Sequence, residues 1–190
     1  MSTPRIADGI AAAMLFARGR AEGLLLLPPT EAGALHSFRA ALICLPAFLG
    51  LRLLAWSQQG APRGGLVLGL LAELVGFVLS WAGFALASRV LAEQAQRLGR
   101  WPHFLAAWNW SNLVQYLLLA VLAVPVLLGA PTWLSNAMGL VALGYALWLE
   151  WFVTREALGV VGATAVMFVL LDVAIGLFIG GLSARIAGGG

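Results

Sequence analysis

An all-α, polytopic bundle of five membrane-spanning helices is the fold class this sequence predicts, and three observations predict it. Apolar runs cover roughly 39–56, 65–88, 104–129, 133–153 and 158–182, and at 1.5 Å per residue each can cross a hydrocarbon core about 30 Å thick. The composition is 62% hydrophobic and only 10% charged, where soluble domains carry about a quarter charged residues. The linkers between the runs are short and hold most of the arginines. The spans use nearly all of the 190 residues, so a separate soluble catalytic domain has no room.

The first element is an N-terminal interfacial helix expected over 5–27. Ile6, Ile10 and Met14 recur at helical spacing, a stripe that continues to Arg18, and Leu15 and Phe16 widen it. The run Leu24–Leu27 is too short to span and stops at Pro28-Pro29. Ala11–Phe16 is also too short for a cleavable signal, with Asp8 before it and Arg18 and Arg20 on the wrong side. The expected organisation is a segment over 1–36, a five-helix transmembrane domain over 37–183 and a flexible tail over 184–190.

Four of the five spans carry a packing device of their own. Pro46 and Pro125 remove a backbone bond from the first and third spans, where a static kink or a hinge follows. The second span has Gly76, Ser80 and Gly83 on nearly one face, with Gly65 and Gly69 near its start. The fifth has Gly176 and Gly180 four residues apart. Small residues at this spacing let helix backbones approach closely in lipid, so the second and fifth helices are expected at the centre of the bundle. The linker Gly60-Ala-Pro-Arg-Gly-Gly65 is turn chemistry without the lysine of a phosphate loop.

Arginine counting sets the orientation. Arg5, Arg18, Arg20, Arg39, Arg89, Arg97, Arg100 and Arg155 fall on one side, and Arg52, Arg63 and Arg185 on the other. Eight against three predicts a cytoplasmic N-terminus and an outside C-terminus. The absence of lysine, with 23 glycines and abundant alanine, suggests a GC-rich bacterial genome, and so an inner (plasma) membrane. Trp56 and Trp133 would mark the outer interface, and Trp101, Trp108, Trp148 and Trp151 the inner one. The pI near 10 comes with a formal charge of only +3. Arginines beside spans meet lipid headgroups, so the bilayer is the expected partner and nucleic acid is not.

Chemistry is sought where ionisable groups enter spans, since each is costly there unless paired or wetted. Glu73 in the second span and Asp172 in the fifth are placed at matching depth, roughly 12–15 Å below the outer surface. Both lie on the small-residue faces of their helices, so the carboxyls are expected to approach each other, with Arg52 nearby. Such a pair is either a proton or cation relay or a lock on the bundle. A second polar cluster is expected toward the cytoplasm: Asn109, Asn112 and Tyr116 on one face of the third helix, with Glu150 near the end of the fourth. That cluster reads as interhelical polar contact, or as a site for a lipid headgroup or peptide. The single cysteine, Cys44, and the isolated His36 and His103 supply no disulfide, metal or cofactor site, and no intramembrane hydrolase motif is present.

The layout resembles the Yip-domain family of five-span membrane proteins, in its closely spaced spans, the Pro28-Pro29-Thr30 approach and the Asn109-Trp110 pair opening the third span. The resemblance covers about 20–183 by architecture, and the Asp-Leu-Tyr-Gly-Pro type motif of eukaryotic members is missing. It implies a fold and little biochemistry. The leading function for the chain is non-enzymatic, a membrane-organising or partner-binding protein, as a homo-oligomer through its small-residue faces or with another membrane protein. The alternative from the residues themselves is a small transporter or proton-coupled permease working through Glu73 and Asp172.

Overall fold

The computed structural model describes residues 5–188 and is all-helical, with no strand among them. Seven helices follow in order: α1 (Ile6–Phe16), α2 (Glu31–Ser37), α3 (Arg39–Gln59), α4 (Leu66–Gln94), α5 (Trp101–Leu127), α6 (Thr132–Leu158) and α7 (Gly162–Gly188). α2 runs almost straight into α3, so five segments are long and apolar enough to span a membrane: Glu31–Gln59, Leu66–Gln94, Leu98–Leu127, Thr132–Leu158 and Gly162–Gly188. The chain is a multi-pass membrane protein. The expected span positions agree, but the helices overrun them. α4 ends at Gln94 where 88 was expected, and α7 ends at Gly188 where 182 was expected. Apolar content stops at the headgroups, whereas a helix stops only at a breaker or a cap. Arg89, Glu93 and Ser183–Ala187 are good enough helix formers to continue.

The N-terminal segment is not one helix over 5–27. α1 stops after Phe16 because Gly19 takes φ +67, and the Gly19 and Arg20 amides return to the Phe16 and Leu15 carbonyls. That is the Schellman arrangement, which glycine adopts without Cβ strain. A 3-10 turn over Ala21–Leu26 then leads to the prolines. Thr30 restarts the helix: its Oγ1 accepts from the Gly33 amide at 3.1 Å. Thr30→Ala should therefore cost about 1 kcal/mol and lower the thermal midpoint by about 2–4 °C; an unchanged midpoint in thermal unfolding would show the cap to be idle.

α1, the 95–100 linker and the 159–161 linker share one end of the bundle, called here the near end. The 60–65 and 128–131 linkers and the end of α7 share the far end, where the Gly64 amide donates to the Ala187 carbonyl at 2.9 Å. α4 lies along α7, while α5 lies along α6, α3, α2 and α1. The expected central helices were the second and fifth spans. α4 does bury residues along its whole length, from Gly69 to Ala92, but α7 buries few, and the longest unbroken buried stretch lies in α5, from Phe104 to Val114. Gly76 does allow close approach, since a Cβ there would collide with Ser183 of α7, whose hydroxyl donates to the Ala72 carbonyl at 3.3 Å. Gly176 and Gly180 play no such part, with nothing within 4 Å of an added Cβ. Pro46 and Pro125 both sit inside continuous helices.

α1 has two working faces. Gly9, Ala12, Ala13 and Phe16 are buried, and Gly9 abuts the Trp110 indole of α5. Ile6, Ile10 and Met14, the stripe legible in the sequence, point outward. A small-residue face toward the bundle and a bulky apolar face toward acyl chains is the pattern of an interfacial helix.

Candidate functional site: a polar cavity inside the bundle

A cavity of about 300 Å³ lies between the α4–α7 pair and the α3, α5 and α6 group. All five spans line it. α3 supplies Arg52, α4 Glu73 and Ser80, α5 Asn112, Gln115 and Tyr116, α6 Glu150, and α7 Asp172 and Ser183. At about 30 Å³ per molecule this is room for on the order of ten waters, and it reaches the lower end of ligand-pocket sizes. Three carboxyl groups face one guanidinium across it.

The charges divide into two poles. Arg52 and Glu73 each lie seven residues from the far ends of α3 and α4, about 10 Å deep. Equal depth lets them pair, with Arg52 Nε 3.1 Å from Glu73 Oε2. The guanidinium also leans on the Phe48 ring, 5.5 Å from its centroid. Glu150 is eight residues from the near end of α6 and Asp172 ten from that of α7, about 12 and 15 Å deep. Their carboxyls are neighbours across the α6–α7 seam, beside the Trp108 indole. Among the described residues neither acid has a cation within ion-pair distance. The poles stand roughly 15 Å apart along the bundle.

The two sequence clusters are thus re-sorted. Glu73 and Asp172 line the same cavity, but each has another immediate partner: Arg52 for the first, Glu150 for the second. The expected depth match rested on ending the fifth span at 182; with α7 reaching Gly188, Asp172 is sixteen residues from its far end. Glu150, assigned with the asparagines, belongs to the acid pole. Asn112 and Tyr116 do line the cavity, and Asn112 Nδ2 donates to the Trp108 carbonyl at 3.0 Å. Asn109 does not. It lies roughly 60° around the helix from Asn112, and its Nδ2 donates at 2.7 Å to Ser37 of α2, whose hydroxyl donates on to the Ala34 carbonyl.

Sequence reasoning missed Trp108, Gln115 and the aromatic wall. Trp108 was expected as an interface anchor, yet it is 3% exposed and stacked 4.2 Å from the Phe84 ring. Trp108 and Gln115 stand four before and three after Asn112, a helical spacing that could have found them. Trp108 Nε1, Gln115 Nε2 and Glu150 Oε1 are all buried at this cavity without a protein hydrogen-bond partner. Buried polar atoms are rarely left so, and a solute or water in the cavity would complete them. Among the described residues no group of three or more histidine, cysteine or acidic side chains could hold a metal. Comparison with known proteins finds no matching family model, no matching curated protein and no matching solved structure.

Proposed function

We propose that this protein is a small membrane carrier that binds a polar solute inside its bundle and exchanges it against protons at Glu150 and Asp172. One observation carries the reading: two adjacent carboxyls with no counter-cation, in a cavity that has room for a solute. Intramembrane acids of this kind mark substrate or proton paths. The alternative is the Yip-like organising role, which would use small-residue faces to hold a partner. It has less support, because Gly176 and Gly180 line the cavity wall. The arginine bias supports a cytoplasmic near end, and the lysine-free, glycine- and alanine-rich composition supports a bacterial plasma membrane as the setting. No step in this reading is enzymatic.

The test is flux. Purified protein in vesicles loaded with a pH-sensitive dye would be offered organic cations, amino acids, sugars and organic anions in turn. At least one class should collapse an imposed pH gradient, and Glu150→Gln and Asp172→Asn should each abolish that flux with folded yield and thermal midpoint kept. No flux for any class, or acid variants that move solute like the parent, would overturn the carrier. Acid variants that fail only in folded yield would place the two carboxyls in bundle assembly.

A further inference from the structure

We propose that the cavity takes a flat or quaternary organic monocation, admitted sideways from the bilayer between α6 and α7. The proposal rests on the carrier reading and names its substrate class.

Charge decides the sign of the ligand. The titratable side chains facing the cavity are Arg52 of α3, Glu73 of α4, Tyr116 of α5, Glu150 of α6 and Asp172 of α7. Arg52 is already held by Glu73. An anion would meet two uncompensated carboxyls, and a zwitterion would find no free cation for its acidic end. Glu150 is 4% exposed, its polar neighbours are Asp172 and Trp108, and its Oε1 meets no protein donor in good hydrogen-bond geometry. A positive ligand supplies what is missing there.

The wall decides the ligand's shape. Phe48, Phe77, Trp81, Trp108 and Tyr116 line the same cavity as the acids. They form a continuous surface, with centroids 4.8 Å apart for Phe48 and Phe77, 5.7 Å for Phe77 and Trp81, and 5.3 Å for Trp81 and Trp108. Aromatic faces attract organic cations, quaternary ammonium groups above all, and stack on flat ones. A small metal ion would use carboxylates and waters and would gain little from these rings.

Exposure decides the route. Leu143 of α6 and Val173 of α7 line the cavity and are 53% and 37% exposed, and Gly176 is exposed as well, so the cavity is open along this stretch of the α6–α7 seam. Leu143 lies eleven residues into α6 from the far end, about 16 Å deep, so this opening faces acyl chains. Gly176 and Gly180 have open space where a side chain would be, which leaves the seam free. A cation with an apolar body dissolves in the interface and passes through such a seam without crossing the bundle ends.

The test is equilibrium binding of tritiated 1-methyl-4-phenylpyridinium to the full chain in lipid nanodiscs. Binding should be saturable and should weaken about ten-fold or more in the Glu150→Gln, Asp172→Asn double variant. In the parent protein, acidic buffer should compete the cation off, a readout that needs no variant to fold. The uncharged isostere 4-methylbiphenyl should not compete. Gly176→Leu, which fills open space, should slow association while thermal stability is kept. No saturable binding over empty nanodiscs, equal competition by the neutral isostere, or full affinity in a folded double variant would overturn the cation site. If the cation fails while another solute class gives acid-dependent flux, the carrier stands and only this substrate class falls.

Discussion

Gly9→Leu should release α1 from the bundle. A Cβ at Gly9 would already overlap the Trp110 indole, and a leucine must displace the helix by roughly a side chain's width. Trp110 cannot yield, because it belongs to the unbroken buried stretch of α5. What α1 would lose is large: Ala12, Ala13 and Phe16 are almost wholly enclosed, and Tyr145 of α6 donates its hydroxyl to the Ala17 carbonyl at 2.7 Å. An eleven-residue helix does not stand alone in water once its docking face is lost. Overpacking of this kind costs about 1–3 kcal/mol, with the buried contacts of Phe16 in addition. Amide hydrogen exchange over 6–16 should accelerate strongly while exchange in α4 and α7 stays slow. Trp110→Ala in the same chain should restore part of the protection by making room. Unchanged protection in Gly9→Leu would show that α1 is held by its lipid-facing stripe and not by the bundle.

That result bears on what the sequence can disclose. The stripe Ile6, Ile10 and Met14 is conspicuous because bulky apolar side chains at helical spacing stand out, yet it is the outward face. The docking face is written in Gly9, Ala12 and Ala13, which read as filler until Trp110 is brought against them. The same asymmetry runs through the spans. Apolar runs located all five spans, since hydrocarbon thickness dictates their length, but helix ends and pairings depend on contacts that hydropathy does not encode. Ending α7 six residues early was enough to join Asp172 to the wrong carboxyl. Gly176 and Gly180 look like a close-approach motif, and the same absence of side chains instead leaves the cavity wall open. The individual acids were legible because burying charge is costly anywhere in a membrane. Which acid meets which followed from depth and from the α6–α7 contact, neither of which a single span contains.

Glu73→Gln should destabilise the protein more than Arg52→Gln, and more than the two changes made together. Glu73 is the buried partner and Arg52 the more accessible one, with side-chain exposures of 9% and 41%. Neutralising Glu73 strands a guanidinium that stays charged, about 10 Å below the far end of the bundle, against the Phe48 ring. Breaking a buried pair costs 3–5 kcal/mol; the exposure of Arg52 brings the expected loss to about 2 kcal/mol. Arg52→Gln is milder, because the glutamine amide can still donate a hydrogen bond to the Glu73 carboxylate. In the double variant two amides can hydrogen-bond where the ions stood, so thermal unfolding in nanodiscs should recover most of the loss, with a coupling of about 1–2 kcal/mol. Additive losses would mean that the 3.1 Å contact carries no net energy. The double variant also separates two roles for this pole. If the ion pair only closes the far end of the cavity, flux should survive in a chain that is again stable. If carrying a solute out requires Arg52 and Glu73 to part, the amide pair should leave binding at Glu150 and Asp172 intact while flux is lost.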